Sequence, residues 1–492
     1  MLDIVDVVEE LPPLDSLGLP EKFTEWRTGQ DLVVRRAIAS ERLLAEAPPG
    51  VGKTVIAAAL QKVLGVPAVY ITSNKSLQRQ ICREIPWARA VMGRNNYPCI
   101  ALKGRTAEVC FHSREDPCLA RPECPYVIAR TEAEMSPLAV LNSTYYLYAS
   151  NYANKFQRPL LIVDEADQFD SAILGFVKLD LSRRVLVKLG DPPVVGSVGS
   201  WVEWIGKVLP KVKRHISEAK EDEIARWKRL EGKLKYVIDN VDKDWFVEHD
   251  GAGISFRPLK VSRYANTLVW NNHQRVLGMS GTIIFKDIVA DSLGLGKVDY
   301  IPIDCPFPAA NRPIYFSPIE ALNKDSKPDS IALALRRIFE GYPESKILVQ
   351  TQSYNWAKAL IDKMNGGVKS RLISNEGAGD REDVLDSFKS SKSPLVLMSP
   401  SFARGLDLYD DEYNCLVVAK APYPNLGSKA VSLRLKAPGG QRWYTREAVA
   451  ALVQMSFRII RSGSKKGDIY ILDANAGRLI NSSPNWFKEA VQ

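Results

Sequence analysis

The sequence predicts an α/β protein built as two lobes of alternating strands and helices, with two insertions in the first lobe. Three observations lead there. A turn-rich loop at residues 47–54 separates a strand-like apolar run from a strong helix-forming run. A continuous apolar stretch at 159–163, of the kind buried in parallel sheets, ends in consecutive carboxylates. Strand and helix patterns then alternate again from about residue 285 to the end. The 492 residues exceed the roughly 250–300 at which one hydrophobic core stops growing, so several domains are expected. A 46% hydrophobic and 25% charged composition without long low-complexity tracts predicts that folded domains fill most of the chain.

Lysine and arginine number 66 against 57 acidic residues, and the resulting net charge of +9 favours a polyanionic partner without identifying one. The first twenty residues are acidic and interrupted by proline, unlike a signal peptide, and no run reaches the ~18 apolar residues of a membrane span. A soluble, intracellular chain is expected, cytoplasmic or nucleoid-associated, with no membrane partner. Seven cysteines, an odd number, argue against a disulfide framework.

The first lobe opens with residues 42–72, which read strand, loop, helix, strand. In Ala47-Pro48-Pro49-Gly50-Val51-Gly52-Lys53-Thr54, the loop Pro49–Thr54, through its backbone N–H groups from Gly50 onward, and the helix N-terminus can cradle phosphates. Lys53 would reach the β and γ oxygens of ATP, and Thr54 would coordinate Mg²⁺. Ala47 replaces the first glycine of the strict pattern, and the plain alternative is a glycine turn before a helix. Downstream, Pro159–Val163 runs into Asp164-Glu165-Ala166-Asp167. Carboxylates leaving a parallel strand at its C-terminal end face the ligand crevice, where Asp164 would hold Mg²⁺ and Glu165 would orient and deprotonate water. An acidic turn after a strand is the alternative, and the loop at Lys53 weighs against it.

Cys99, Cys110, Cys118 and Cys124 follow the spacing C-x10-C-x7-C-x5-C, which lacks the tight pairs of structural zinc sites. Four thiolates fit a [4Fe-4S] cluster, with zinc or unligated core cysteines as alternatives. Such a cluster would fold a small insert with too little core of its own, and Lys103, Arg105 and Arg114 could contact phosphates there. Cys82, Cys305 and Cys415 are isolated and read as ordinary buried thiols.

Between Ser182 and about Lys260 the alternation stops. Ile224, Trp227, Leu230, Leu234, Val237, Ile238 and Val241 recur at three- and four-residue steps and predict one apolar helix face. Acidic residues 218–223 precede basic residues 228–235, the order a helix dipole favours. Trp201, Trp204, Trp227 and Trp245 could stack on bases, but core packing is the preferred reading. The second lobe then reads KILVQTQ, SYNWAKALIDKM, SPLVLMSP and NCLVVAK, alternating strand and helix.

These pieces, in this order, resemble the XPD/DinG group of iron-sulfur superfamily 2 helicases from about Arg27 to about Asp473, nearly the whole chain. Arg27-Thr28-Gly29-Gln30 looks like the adenine-sensing element, with Gln30 the base contact. Residues Tyr70–Leu77, with Thr72, Ser73 and Asn74, look like the motif gripping the nucleic-acid backbone. The stretch around Asn142 resembles the strand and loop after the cluster domain. Met279–Ile283 is similar to the motif coupling hydrolysis to strand movement. Phe402–Leu408, with Gly405 and Asp407 at the ATP, and Gln454–Ser462, with Gln454, Arg458 and Arg461, resemble the last two motifs. Thr351 in the second lobe is a further nucleic-acid candidate. Arg458 and Arg461, at i and i+3, would share one helical face and reach the γ-phosphate across the cleft. Gly93–Cys99 and Cys124–Tyr126 look like the first and last cluster ligands. Phe457 stands where the family usually has glycine and Arg404 where it often has an acid, and the chain is short for the family.

The resemblance implies two RecA-like motor domains with an iron-sulfur cluster insertion and a helical arch-like insertion in the first. The expected divisions are motor domain 1 at 1–90, 131–180 and 263–285, the cluster domain at 91–130, the arch-like domain at 181–262 and motor domain 2 at 286–492. It also implies ATP, Mg²⁺ and [4Fe-4S] as cofactors, a monomer acting on single-stranded DNA and forked or hybrid duplexes with 5′-to-3′ polarity, and work in DNA repair. Two other readings stand beside it: a translocase or RNA–DNA hybrid remodeller without processive unwinding, and a structural DNA-binding subunit with a dispensable motor.

Overall fold

The computed structural model describes residues 10–72, 75–109, 122–193, 197–249, 253–323, 325–375, 381–400, 413–459 and 466–492. The first part of the chain supplies strands β1 (Arg42–Glu46), β2 (Ala68–Thr72), β3 (Ala88–Val91), β4 (Leu138–Asn142) and β5 (Leu160–Asp164). Next come β6 (Leu179–Ser182), β7 (Trp245–His249) and β8 (Gly253–Pro258), then β9 (Arg275–Ser280) and β10 (Asp299–Pro302). Seven of these form one parallel sheet in the order β10-β1-β9-β5-β2-β4-β3. β2 and β5 are buried along their whole length, with apolar clusters on both faces, which is why they read as unbroken apolar runs.

The strand order sets the C-terminal ends of β1, β9 and β5 side by side. The phosphate loop, Gly281-Thr282 and Asp164–Asp167 therefore leave the sheet at one crevice, the place where ligands bind in open α/β sheets.

The expected end of the first lobe at residue 285 is too early. β10 pairs with β1 from Leu43–Asp299 to Glu46–Pro302, so the chain leaves this sheet only after Pro302. A four-residue strand beyond a helix gives too short an apolar signal to place from sequence.

The second insertion is a hairpin of two long helices, Val198–Glu218 and Glu221–Asn240. It also contains what periodicity did not reveal, an antiparallel sheet β6-β8-β7. Trp201 is fully buried and stacks on Phe256 of β8 at 4.4 Å, and Trp227 and Trp245 are buried too, as the packing reading expected.

The second lobe is a parallel sheet of β11 (Ile314–Glu320), β12 (Lys346–Gln350), β13 (Leu372–Ile373), β14 (Val396–Ser399), β15 (Tyr413–Val418) and β16 (Asp468–Asp473). Its order is β11-β16-β15-β12-β14-β13. The helix Gly440–Ser456 packs on this sheet and turns one side toward the first lobe.

Candidate active site

The phosphate loop is shaped by two left-handed glycines, Gly50 (φ +86°) and Gly52 (φ +79°). A Cβ on Gly50 would lie 2.2 Å from the Phe307 ring, and one on Gly52 would lie 2.6 Å from Gln30 Nε2, so no larger residue fits either position. Ala47 is fully buried and donates its N–H to the Ser280 carbonyl at 2.8 Å, which ties the loop's first residue to the end of β9. Gln30, expected at the base, is instead 1% exposed beneath the loop. Its carboxamide donates to the Val51 carbonyl at 2.7 Å and accepts from Arg27 N at 3.0 Å. Arg27 is exposed and donates to the Gly50 carbonyl at 3.4 Å. Pro49 of the loop lies beside Gly281, where a Cβ would meet its Cδ at 3.4 Å.

Lys53 opens the helix Lys53–Leu64 and places Nζ 2.7 Å from Glu165 Oε1 and 3.0 Å from Asp164 Oδ1. Burial alone would push the Lys53 ammonium down, but the two carboxylates outweigh it and hold it above the usual lysine range. Burial raises Asp164. Burial would raise Glu165 as well, yet the Lys53 charge and hydrogen bond bring it below the usual range. Glu165 also has a left-handed backbone (φ +52°), a conformation that a non-glycine residue adopts at a cost, and it turns the chain sharply after β5. The buried Tyr70 hydroxyl, which no sequence argument picked out, lies against Asp164 and Thr54. A cation, a pair of carboxylates and left-handed glycines at a helix N-terminus suit a Mg²⁺-bound triphosphate.

A chain of polar contacts leads from these carboxylates into the second lobe. Ser280 Oγ donates to Glu165 Oε2 at 3.1 Å and lies 3.1 Å from Thr282 Oγ1. Thr282 donates to Asp167 Oδ2 at 2.8 Å, and Gln454 of the second lobe donates to Thr282 Oγ1 at 3.1 Å. Arg446, two turns before Gln454, donates Nη2 to the Asp167 carbonyl at 2.6 Å and to Oδ2 at 3.1 Å. This cross-lobe ion pair is sealed, its side chains 4% and 1% exposed. Burial pushes Asp167 up to about 6, against the pull of Arg446. Arg446 belongs to no motif, and it shares a helix stripe with Gln454 at i and i+8.

Arg458 is close enough to Glu165 for its charge to help lower that carboxyl. Arg458 does not lie on a helix as expected, because the helix ends at Ser456 and Arg458 follows the Phe457 cap. The Phe457 ring meets Trp486 edge-on at 4.9 Å and sits 5.8 Å from the Arg312 guanidinium, within the second lobe. Arg461, Gly405 and Asp407, with Arg404, lie outside the described residues.

Thr72 and Asn142 pair across the ends of β2 and β4. Thr72 is buried, and Asn142 accepts from Tyr145 N at 2.8 Å to cap the helix Ser143–Ala153. Thr351, at the end of β12, is 2% exposed and donates its N–H to the Ser399 carbonyl at 3.2 Å. Ser73 and Asn74 lie outside the described residues.

In the cysteine insert, Cys99 Sγ accepts from Leu102 N at 3.4 Å, and Cys124 stands at the N-terminus of the helix Pro125–Met135. The chemistry of these two sulfur donors suits a metal cluster. Cys110 and Cys118 lie outside the described residues, among which no three candidate ligands converge. Arg229 of the helical hairpin reaches Glu108 of the insert at 3.6 Å, so the two insertions touch beside the first lobe.

Residues 335–490 match the helicase C-terminal domain family. A search of curated proteins found no significant match. Among solved structures the chain resembles an XPD helicase at a TM-score of 0.67 and 16% identity, covering 94% of this chain and 96% of that one. It resembles an apo XPD structure at 0.63 and 14% identity (94% and 97% covered), and Xpd4 of S. tokodaii at 0.60 and 18% identity (95% and 99% covered). Residues 335–490 of the second lobe thus resemble a helicase C-terminal domain, and the chain as a whole has the fold of the XPD helicase structures.

Proposed function

We propose that the protein is an ATP- and Mg²⁺-dependent DNA helicase that couples hydrolysis in the inter-lobe cleft to 5′-to-3′ movement along single-stranded DNA. The observation that carries this reading is the continuous polar path from Lys53, through Glu165, Ser280 and Thr282, to Gln454 and Arg446. Lys53 is held by Asp164 and Glu165. Arrival of a triphosphate gives its ammonium a stronger anionic partner and frees Glu165 to hold the attacking water and take its proton. Bound Mg²⁺, held through Thr54 and Asp164, would neutralise charge on the phosphates. Arg458 approaches from the second lobe and stabilises charge developing on the transferred phosphoryl group. Because Ser280 and Thr282 touch both carboxylates and the second lobe, a change at Glu165 alters how the lobes meet, and strand contacts on each lobe move with it.

Cys99, Cys110, Cys118 and Cys124 would hold a [4Fe-4S] cluster whose work is to stiffen the insert beside the strand path. Polarity and DNA as substrate are carried by the resemblance of the ordered motifs. The test is strand displacement by anaerobically purified protein on forks with only a 5′ or only a 3′ tail, alongside Lys53→Ala. Displacement confined to the 5′-tailed fork and lost in the variant is expected. ATP hydrolysis stimulated by single strands, without displacement of either fork, would replace the helicase reading with a translocase or hybrid remodeller.

A further inference from the structure

The outer edge of the first lobe carries a basic track that the nucleotide motifs do not use. The helix Lys75–Glu84 presents Lys75, Arg79 and Arg83 at successive i+4 steps, about 6 Å apart along its axis. All three are exposed. Arg79, Arg83 and Arg89 of the edge strand β3 line a shallow groove of about 750 Å³, floored by the small side chains of Cys82, Ala88 and Ala90. Glu132 is the one carboxylate on its rim. Glu84, which could have answered the arginines, is engaged by Lys22 at 3.4 Å and Gln80 at 3.1 Å. Neither Arg79 nor Arg83 has a carboxylate partner among the described residues. At the other end, Lys75 donates to Asn96 Oδ1 at 2.9 Å and joins this groove to a second open basin, about 640 Å³, that includes Lys103 and Arg105 of the cysteine insert.

An exposed helix face usually interleaves acids and bases, because like charges at i and i+4 repel and weaken the helix. Here one sign repeats at every step, so the stripe destabilises the helix that bears it until a polyanion neutralises it. Guanidinium forks match phosphate oxygens two at a time. The groove's floor of small side chains offers no apolar pocket to a peptide side chain, and the track begins just beyond Thr72, at the strand-gripping motif.

We propose that this track is an accessory phosphate-backbone contact that takes nucleic acid beyond the motor cleft, from the cysteine insert to the edge of the first sheet. The proposal rests on the nucleic-acid reading above. Binding of a short oligo(dT) that fills only the cleft is compared with a long one that reaches past it, over a salt series, for the full chain and for Arg79→Ala/Arg83→Ala. Each lost phosphate contact on a single strand flattens the slope of log affinity against log salt by about 0.7, so the long oligonucleotide's slope is expected to fall by about 1.4. An unchanged slope for a wild-type chain that binds both oligonucleotides overturns the proposal. A wild type that binds neither overturns the nucleic-acid reading itself. Retained oligo(dT) binding with lost binding of a polyglutamate peptide would assign the track to an acidic protein instead and also overturn it. Thermal melting of the variant, expected within a degree or so of wild type for two exposed side chains, separates these outcomes from misfolding.

Discussion

The nucleotide cleft and the cysteine insert were both marked by short motifs, yet they keep their shapes by different means. In the cleft, the carboxylates Asp164–Asp167 leave the end of a strand whose sheet is buried on both faces, and the charges find partners within the chain: Lys53 on two carboxylates, Asp167 on Thr282 and Arg446. The first stretch of the insert has little interior of its own. Among residues 92–108 only Ala107 is buried, and the segment is held by the Pro98–Thr106 bridge, the edge-on Tyr97–Tyr126 pair at 5.7 Å and Arg94 over Tyr126 at 5.1 Å. The cleft's geometry therefore comes with the folding of two sheets, before any ligand binds. On the proposed cluster reading, the insert would draw its stiffness from covalent anchors.

The largest effect that would sharpen this contrast lies in the cleft. Arg458→Ala should lower ATP turnover by ~10³-fold or more with a much smaller change in nucleotide affinity, measured by steady-state hydrolysis and by equilibrium binding of a fluorescent ATP analogue. A loss of only a few-fold would remove Arg458 from the reacting phosphates. Cys99→Ser tests the other side. It should abolish strand displacement while ATP hydrolysis stays within about tenfold, since the cleft residues follow β1, β5 and β9 while the insert joins β3 and β4 at the far edge of the sheet. Parallel collapse of both activities in a soluble variant would break the comparison.

The same physics explains what the sequence made legible. Lys53, Asp164 and Glu165 could be read because a parallel α/β sheet delivers strand ends to one crevice, and the motifs mark those ends directly. Arg446 could not, because its meaning depends on how the helix Gly440–Ser456 docks across the cleft, a long-range fact that no local pattern encodes. The strands β6, β7 and β8 escaped for a related reason: they are short and lie beside strong helical periodicity. β10 escaped because its partner, β1, lies some 250 residues away in sequence. Gln30 was read as a base contact from resemblance, and the cramped Gly52 beneath which it sits shows why its amide bonds to the loop backbone.

Arg446 gives the next prediction in size. Removing one partner of a sealed ion pair leaves an uncompensated charge, so Arg446→Met should destabilise the chain by about 3–5 kcal/mol in denaturant unfolding. Adding Asp167→Asn should recover much of that loss, because the asparagine can still accept from Thr282 without carrying a buried charge. Equal instability of the single and double variants would mean that Arg446 acts through packing alone.

The smallest effect is a pH dependence, and its sign follows from Asp167. Burial lifts this carboxyl from its ordinary value of 3.8 to about 6, so between those values the folded chain holds a proton that the unfolded chain has released. The stability this group contributes is present below pH 3.8 and is lost as pH rises through about 6. Other carboxylates impose their own slopes, so the informative quantity is the difference between wild type and Asp167→Asn across that window. Wild type should lose stability relative to the variant as pH rises from 3.8 to 6, and the difference should level off above it. In Arg446→Met the guanidinium that pulls the Asp167 carboxyl down is gone, so the same window should extend to higher pH. A wild-type-minus-variant difference that is flat with pH would mean that Asp167 stays ionised throughout, with the Arg446 charge prevailing over burial at the seam between the lobes.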